Sequence, residues 1–181
     1  MNENDSAGSD LKEVCIRSMQ LMEIDDLAGF ADVVHPDAVN RESSAEPPET
    51  RGVGPVAFHA TALWLRSAFS DLTWVIHEAI QEGVQEGAVV VIHATMSGRQ
   101  TGPFVSYGPD ARPVMAFPPR GRSFAVTQTH WFRTAEGKVI EHWANRDDLG
   151  MAQQLGWTPP SPGYLVRMLL ARRRARSQQL R

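Results

Sequence analysis

Two neighbouring stretches, RSFAVTQTHWF (122–132) and KVIEHWANR (138–146), are joined by the polar turn RTAEGK (133–138). In both, apolar and polar residues alternate with a period of two, the mark of half-buried strands. The short turn makes them antiparallel neighbours. Upstream, LTWVIHEAI (72–80) and GAVVVIHATMSG (87–98) alternate in the same way and are joined by QEGVQEG (81–87). These are four long strands, and a short one is expected over 38–43. Before them the period is helical. Leu11, Val14, Cys15, Ser18, Met19 and Met22 place a helix over 10–23, opened by Asp10 and Glu13 as a capping pair. DDLAGFADVV gives a helix over 25–34 that stops before Pro36. Gly54-Pro55 opens a third, to about Phe69, with the stripe Val56, Ala60, Leu63, Trp64 and Ser67.

Helices first and strands after predict an α+β fold. Its expected form is a cone-shaped curved antiparallel sheet of four long strands and a short one. N-terminal helices wrap it around a central apolar cavity. Residues 1–9 read as a disordered tail, 10–157 as the domain and 158–181 as an Arg-rich extension. SSAEPPETRG (43–52) is a loop by composition, and 99–121, with five prolines, is a loop or lid. Asp148 is the expected cap of a helix over 149–155 that Gly156 ends. A basic helix is expected over 163–178.

Composition narrows the function classes. In 181 residues the net charge is −3, and no apolar run approaches the ~18 residues of a membrane span. The polar start MNENDSAGSD is unlike a secretory signal, so the cytoplasm is the expected location. The single cysteine, Cys15, leaves no internal disulfide. Residues 1–157 carry −9 and residues 158–181 carry +6 from six arginines. No aromatic residue interleaves the run ARRRARSQQLR, which argues against nucleic acid. It reads as a solvated tail or a helix lying on its own acidic domain, with an acidic partner as the other reading. No HxH, HxxxH or CxxC pair marks a metal site, no GxGxxG or GxxxxGK[ST] a nucleotide site, and no GxSxG an esterase elbow.

Strand parity selects the candidate site. Phe124, Val126, Gln128, His130 and Phe132 share one face: apolar at both ends, polar in the middle. An apolar wall carrying a few convergent polar groups suits a small molecule. On the next strand Ile140, His142 and Ala144 share a face. His130 and His142 are thus candidate acid/base groups, with ordinary pKa values near ~6.5. The other reading of each is a partly buried histidine satisfied by a neighbouring backbone group or carboxylate, and the shared face with Gln128 strengthens the acid/base reading for His130. Asp147 and Asp148 read as helix-capping acids, and Asp147 is also a candidate acid/base if the strand end turns inward. His35, His59, His77 and His93 lack a supporting pattern. Trp131 and Trp143 on the opposite face predict a homodimer or higher homo-oligomer through the sheet.

GKVIEHWANRDDLGMAQQLG (137–156) and TQTHWFRTAEG (127–137), with GPVAFHATALWLRSAFSDLTW (54–74) and SGRQTGPF (97–104), resemble the SnoaL-like polyketide cyclases. These are also called ester cyclases and lie within the nuclear transport factor 2-like superfamily. The resemblance covers about 10–157. It implies a cone of helices and curved sheet, a hydrophobic small-molecule substrate, and intramolecular aldol closure without metal or cofactor. It places Asn40, Gln128 and His130 in the site, and Trp64, Phe124 and Phe132 are the expected apolar contacts. The family's acid/base aspartate follows the His-Trp pair, where this chain has Ala144. Three readings follow. His130, His142 or Asp147 takes over proton transfer. The protein performs another tailoring step on a similar substrate, as relatives lacking the aspartate are associated with ring hydroxylation. Or the cavity binds without catalysis. The 99–121 insertion is longer than the family pattern and would reshape the cavity mouth.

Overall fold

The computed structural model describes residues 3–83 and 87–179. The chain opens with α1 (Glu3–Gln20), which starts well before Asp10 and enters the stretch read as a tail. A 3-10 turn, Leu21–Glu23, completes it. α2 (Leu27–Val33) is capped by Asp26, whose carboxylate accepts from the Gly29 N–H at 2.8 Å. β1 (Val34–Asn40) follows at once, ahead of the expected position. It stops where the Asn40 side chain turns back to accept the Glu42 N–H at 3.1 Å, which starts a short 3-10 turn. α3 (Gly54–Ala68) agrees with its sequence pattern.

The long strands are β2 (Phe69–Glu82), β3 (Val89–Gln100), β6 (Ser123–Ala135) and β7 (Lys138–Arg146). Their sheet order is β1-β7-β6-β3-β2, and the four long strands pair antiparallel. β1 corrects the all-antiparallel expectation: it runs parallel to β7, with Asn40 opposite His142. No short turn joins those two strands, so alternation carried no information about their direction. As an edge strand, β1 also tolerates Pro36. Glu136 (φ 51°) and Gly137 (φ 72°) form the tight β6–β7 turn, both left-handed as a two-residue type I′ hairpin demands. Residues 84–86 of the QEGVQEG turn lie outside the described residues.

Burial along β3 and β6 has period two, so Val90, Ile92, Ala94, Met96, Phe124, Val126, Gln128, His130 and Phe132 all face inward. Helices α1 to α3 cover this face, with Phe30 and Phe58 in the core. A register shift near Ile140 interrupts the period in β7, so Val139 faces the core in place of Ile140.

The proline-rich stretch is not a plain loop. It forms a two-stranded hairpin, β4 (Phe104–Tyr107) with β5 (Pro113–Phe117). The prolines at 103, 109, 113, 118 and 119 lie outside or at the start of these strands, where no ladder N–H is required. Helix α4 (Asp148–Leu155) ends at Gly156, whose φ of 72° gives the left-handed cap. Its N-cap is Asp147, not Asp148: the Asp147 carboxylate accepts the Gly150 N–H at 2.8 Å. α5 (Pro162–Gln179) carries the Arg-rich segment and lies on β5. The Tyr164 hydroxyl donates to the Pro118 carbonyl at 3.0 Å, and Arg176 Nε donates to the Pro113 carbonyl at 3.0 Å. The extension therefore rests on its own domain. Among the described residues, no helix is long and apolar enough to cross a membrane.

The fully buried Gln100 ties hairpin to domain. Its Nε2 donates to the carbonyls of Phe117 (2.9 Å) and Gly102 (3.2 Å), and its Oε1 accepts the Trp157 indole N–H (3.1 Å). Replacing Gln100 by Leu leaves the buried Trp157 indole N–H and the part-buried carbonyls of Phe117 and Gly102 without this partner, at ~1–3 kcal/mol for a buried group left unsatisfied. We expect Gln100→Leu to lose about 3 kcal/mol in urea unfolding. A loss within experimental error would show that the amide does not pin the hairpin.

Candidate active site

Between the inner sheet face and the helices lies a cavity of about 300 Å³. Its walls are mostly apolar, within the size range of small-molecule sites. Phe58, Trp64 and Phe69 line it from the α3 side, and Phe132 from the sheet. Phe104 and Phe117 of the hairpin close it with Trp157, which stacks on both rings at centroid distances of 5.3 and 4.2 Å. Expected contacts Trp64 and Phe132 are thus in the wall. Phe124 is not among the lining residues: it packs behind the wall against Phe69, at 5.1 Å. Parity gave its side of the sheet but not its distance from the hollow.

One polar chain crosses this apolar surface. The Trp74 indole N–H donates to Gln128 Oε1 at 3.2 Å. The same oxygen meets His130 Nε2 at 2.8 Å. His130 Nδ1 lies 3.0 Å from His142 Nε2, and His142 Nδ1 lies 3.0 Å from Asn40 Oδ1. Asn40 Nδ2 donates to Glu46 Oε1 at 3.4 Å, and the Thr61 hydroxyl donates to Glu46 Oε2 at 2.7 Å. The predicted residues Gln128, His130, His142 and Asn40 are therefore brought together as one connected unit. They come from β6, β7 and the end of β1, and the parallel β1–β7 register sets Asn40 beside His142.

Asp147 stands apart. It is exposed, caps α4 and is not among the lining residues. His35, His59, His77 and His93 also lie elsewhere. His59 meets Asp25 at 2.7 Å, His35 lies 3.6 Å from Glu136, and His77 and His93 bond Thr95 and Thr129 on the outer sheet face. Among the described residues, no three His, Cys, Asp or Glu side chains cluster as metal ligands.

Two acids that the sequence did not reveal border the chain. Glu46 is 2% exposed despite sitting in a stretch that reads as loop. Glu42 Oε1 accepts the Ala144 N–H at 3.1 Å, and Glu42 Oε2 lies 3.4 Å from Arg146. Arg146 also reaches Asp148 at 3.6 Å. Glu42, Glu46, Arg146 and Asp148 all line the cavity. The only sequence signal was the scattered acids Glu42, Glu46 and Glu49 after Asn40, which composition cannot separate from ordinary solvated loop residues.

Burial sets the protonation states. Desolvation, aided by the Arg146 guanidinium, pushes His130 down to about 3. His142 is lowered well below the ordinary histidine range, first by burial and then by His130 and Arg146. Burial raises Glu46 against the pull of Thr61, Thr50, Arg146 and Asn40. Both imidazoles are thus neutral near pH 7 and keep lone pairs for proton transfer.

An unfolded histidine titrates near ~6.5, so on acidification the unfolded chain takes the proton before folded His130 does. The stability this ring contributes is complete above pH ~6.5 and is lost as the pH falls toward about 3. We expect His130→Asn to flatten the acid loss of stability in denaturant titrations across that window. An unchanged slope would contradict this assignment.

Comparison with known proteins gives a consistent picture. The SnoaL-like polyketide cyclase family matches residues 13–155. Aklanonic acid methyl ester cyclase DnrD of Streptomyces peucetius is 31% identical over 153 residues, spanning 84% of this chain and 93% of the relative. Nogalonic acid methyl ester cyclase of Streptomyces nogalater is 29% identical over 123 residues, spanning 68% and 80%. Among solved structures, TsrD from Streptomyces laurentii superposes with a TM-score of 0.64 at 23% identity, covering 82% of this chain and 96% of its own. A SnoaL-like polyketide cyclase from Agrobacterium tumefaciens superposes with a TM-score of 0.58 at 12% identity, covering 81% and 98%. The extent of the family match and the likeness to the ester cyclases place this chain in the SnoaL-like polyketide cyclase family.

Proposed function

We propose that the protein is a cyclase-type enzyme acting on a flat, mostly apolar, polyketide-derived ester or ketone by acid/base chemistry of its own side chains. The connected Gln128–His130–His142–Asn40 chain inside an aromatic cavity carries this reading. In the reaction, His130, backed by His142, takes a proton from the carbon next to the ester carbonyl. The enolate attacks a ketone of the same molecule and forms the new carbon–carbon bond. The proton returns to the resulting alkoxide, so no oxidant, metal or cofactor is consumed. Gln128 and Asn40 orient the substrate oxygens, while Trp64 and Phe132 hold its flat faces. Fixing the two carbons together removes much of the entropic barrier.

Asp147 has no part in this scheme, because it caps α4 in solvent. The second reading, a cavity that binds without turning over, is favoured by one observation: the position after His142-Trp143 is Ala144, which carries no acid/base group. We further propose cytoplasmic residence and a homodimer formed through the outer sheet face. There Trp131 stacks on Trp143 at 6.0 Å, and Val75 and Ile80 are more than half exposed.

Aklanonic and nogalonic acid methyl esters, the compounds named for the relatives, are the first substrates to test. Ring closure is isomerisation, so the product keeps its mass and shifts in chromatography. We expect His130→Ala to lower turnover ~10²–10⁴-fold with binding retained, followed by quenching of cavity tryptophan fluorescence. Binding without conversion of any such ester by the unaltered protein would select the binding reading. A monomer by light scattering at high concentration would reject the dimer.

A further inference from the structure

The hydrogen-bond chain has a shortage that can be counted. Trp74 Nε1–H and the Glu42 backbone N–H are donors only, so they turn Gln128 Oε1 and Asn40 Oδ1 toward the histidines. The opposite ends of both amides agree: Gln128 Nε2 faces Met96 Sδ at 3.1 Å, and Asn40 Nδ2 faces Glu46. The histidine pair is therefore flanked by an acceptor at each end. Its three contacts, at 2.8, 3.0 and 3.0 Å, need three hydrogens. Two neutral imidazoles supply two. In the neutral pair one contact always lacks its hydrogen, and shifting protons along the chain only moves the gap. If the inter-ring hydrogen sits on His130 Nδ1, the free lone pair is at His130 Nε2, on the Gln128 side.

We propose that His130 and His142 work as a single one-proton base, and that Glu46, reached through the Asn40 amide, is its buried counter-charge. One added proton fills every contact in the chain at once. A second would have to sit on the nitrogen that accepts the inter-ring hydrogen bond, setting two N–H groups face to face and two like charges together, so the pair stops at one. The other charged groups bordering the site are accounted for. Arg146, on β7, opposes uptake of the proton. Glu42, from the turn after β1, and Asp148, on α4, are occupied with that guanidinium at 3.4 and 3.6 Å. The Thr61 hydroxyl, on α3, holds the far oxygen of Glu46. Burying the histidine cation or the Glu46 anion alone is costly, but together they leave the linked unit neutral. Glu46 is thus a positioning residue that acts through the Asn40 amide, its two carboxylate oxygens held by Asn40 and Thr61. Its use in turnover rests on the reading above, whereas its effect on proton affinity does not.

The test is a pH titration of the full-length protein followed by nitrogen-15 NMR of the histidine rings, which needs neither substrate nor activity. In the unaltered protein we expect the His130 and His142 nitrogens to move together, with one midpoint and one proton for the two rings. Separate midpoints, one proton per ring, or no uptake before acid unfolding would overturn the single-base proposal. In Glu46→Gln, which keeps the shape and loses the charge, we expect the midpoint to fall by about one pH unit or more, or below the range in which the protein stays folded. An unchanged midpoint would remove Glu46 as counter-charge, since a purely structural role would not shift it. Should Glu46→Gln not fold, Thr61→Val provides the second variant: it removes the hydroxyl that holds the Glu46 carboxylate and leaves every histidine contact in place. A smaller downward shift is then expected, and an unchanged midpoint would again remove Glu46. Joint titration with no turnover would sink the enzyme reading and leave this inference standing.

Discussion

The structure turns on a buried polar chain that an apolar wall has to tolerate. Imidazoles and amides in a greasy interior are costly unless every polar atom finds a partner. Here the partners lie on four elements: Trp74 on β2, Gln128 and His130 on β6, His142 on β7, and Asn40 at the end of β1. That requirement fixes the β1–β7 register, because Asn40 must lie across from His142. It also explains the 3-10 turn after β1, whose first hydrogen bond is made by the Asn40 side chain that meets His142. The same turn delivers Glu42 to the Ala144 backbone and leads into Glu46.

A second set of contacts shapes the cavity from the far side. The proline-rich insertion folds back as a hairpin whose two phenylalanines stack with Trp157, just beyond α4. Gln100 binds strand, hairpin and Trp157 into one unit, and α5 braces the outer side of the hairpin. The C-terminal extension therefore bears on the site indirectly, by holding the aromatic lid. Its Arg176 reaches the Pro113 carbonyl of the hairpin, and the Arg120 and Arg167 guanidiniums pack over Tyr164.

In the acid/base reading we propose, the cavity has to handle protons with alanine at position 144. Proton transfer needs a lone pair, an environment that keeps it free at neutral pH, and a way to stabilise the charge once formed. Burial and Arg146 meet the second need by keeping both histidines neutral. The third is the part we propose for the flanking acceptors and Glu46. The surrounding apolar walls exclude water, which strengthens each of these interactions.

Much of this was written in local sequence. Alternation over 122–132 placed Gln128 and His130 on one inner face, because strand geometry gives side chains only two directions. Helical spacing located α3, and Gly156 announced the end of α4. What local sequence could not carry depended on residues far apart in the chain. The direction of β1 rests on pairing across roughly a hundred residues. The hairpin in 99–121 is held by Gln100 and α5 against a composition that reads as loop. Phe124 had the right parity but lies behind Phe69, since parity gives direction and not depth. Both aspartates at 147 and 148 read as capping acids, and which of the two caps α4 is settled by backbone geometry, which chose Asp147. Glu46 became a buried acid only when the fold closed Thr61 and Asn40 over it. Periodicity thus determined which faces point inward; packing alone decided which groups meet there, because hydrogen bonds between distant segments exist only after the chain has folded.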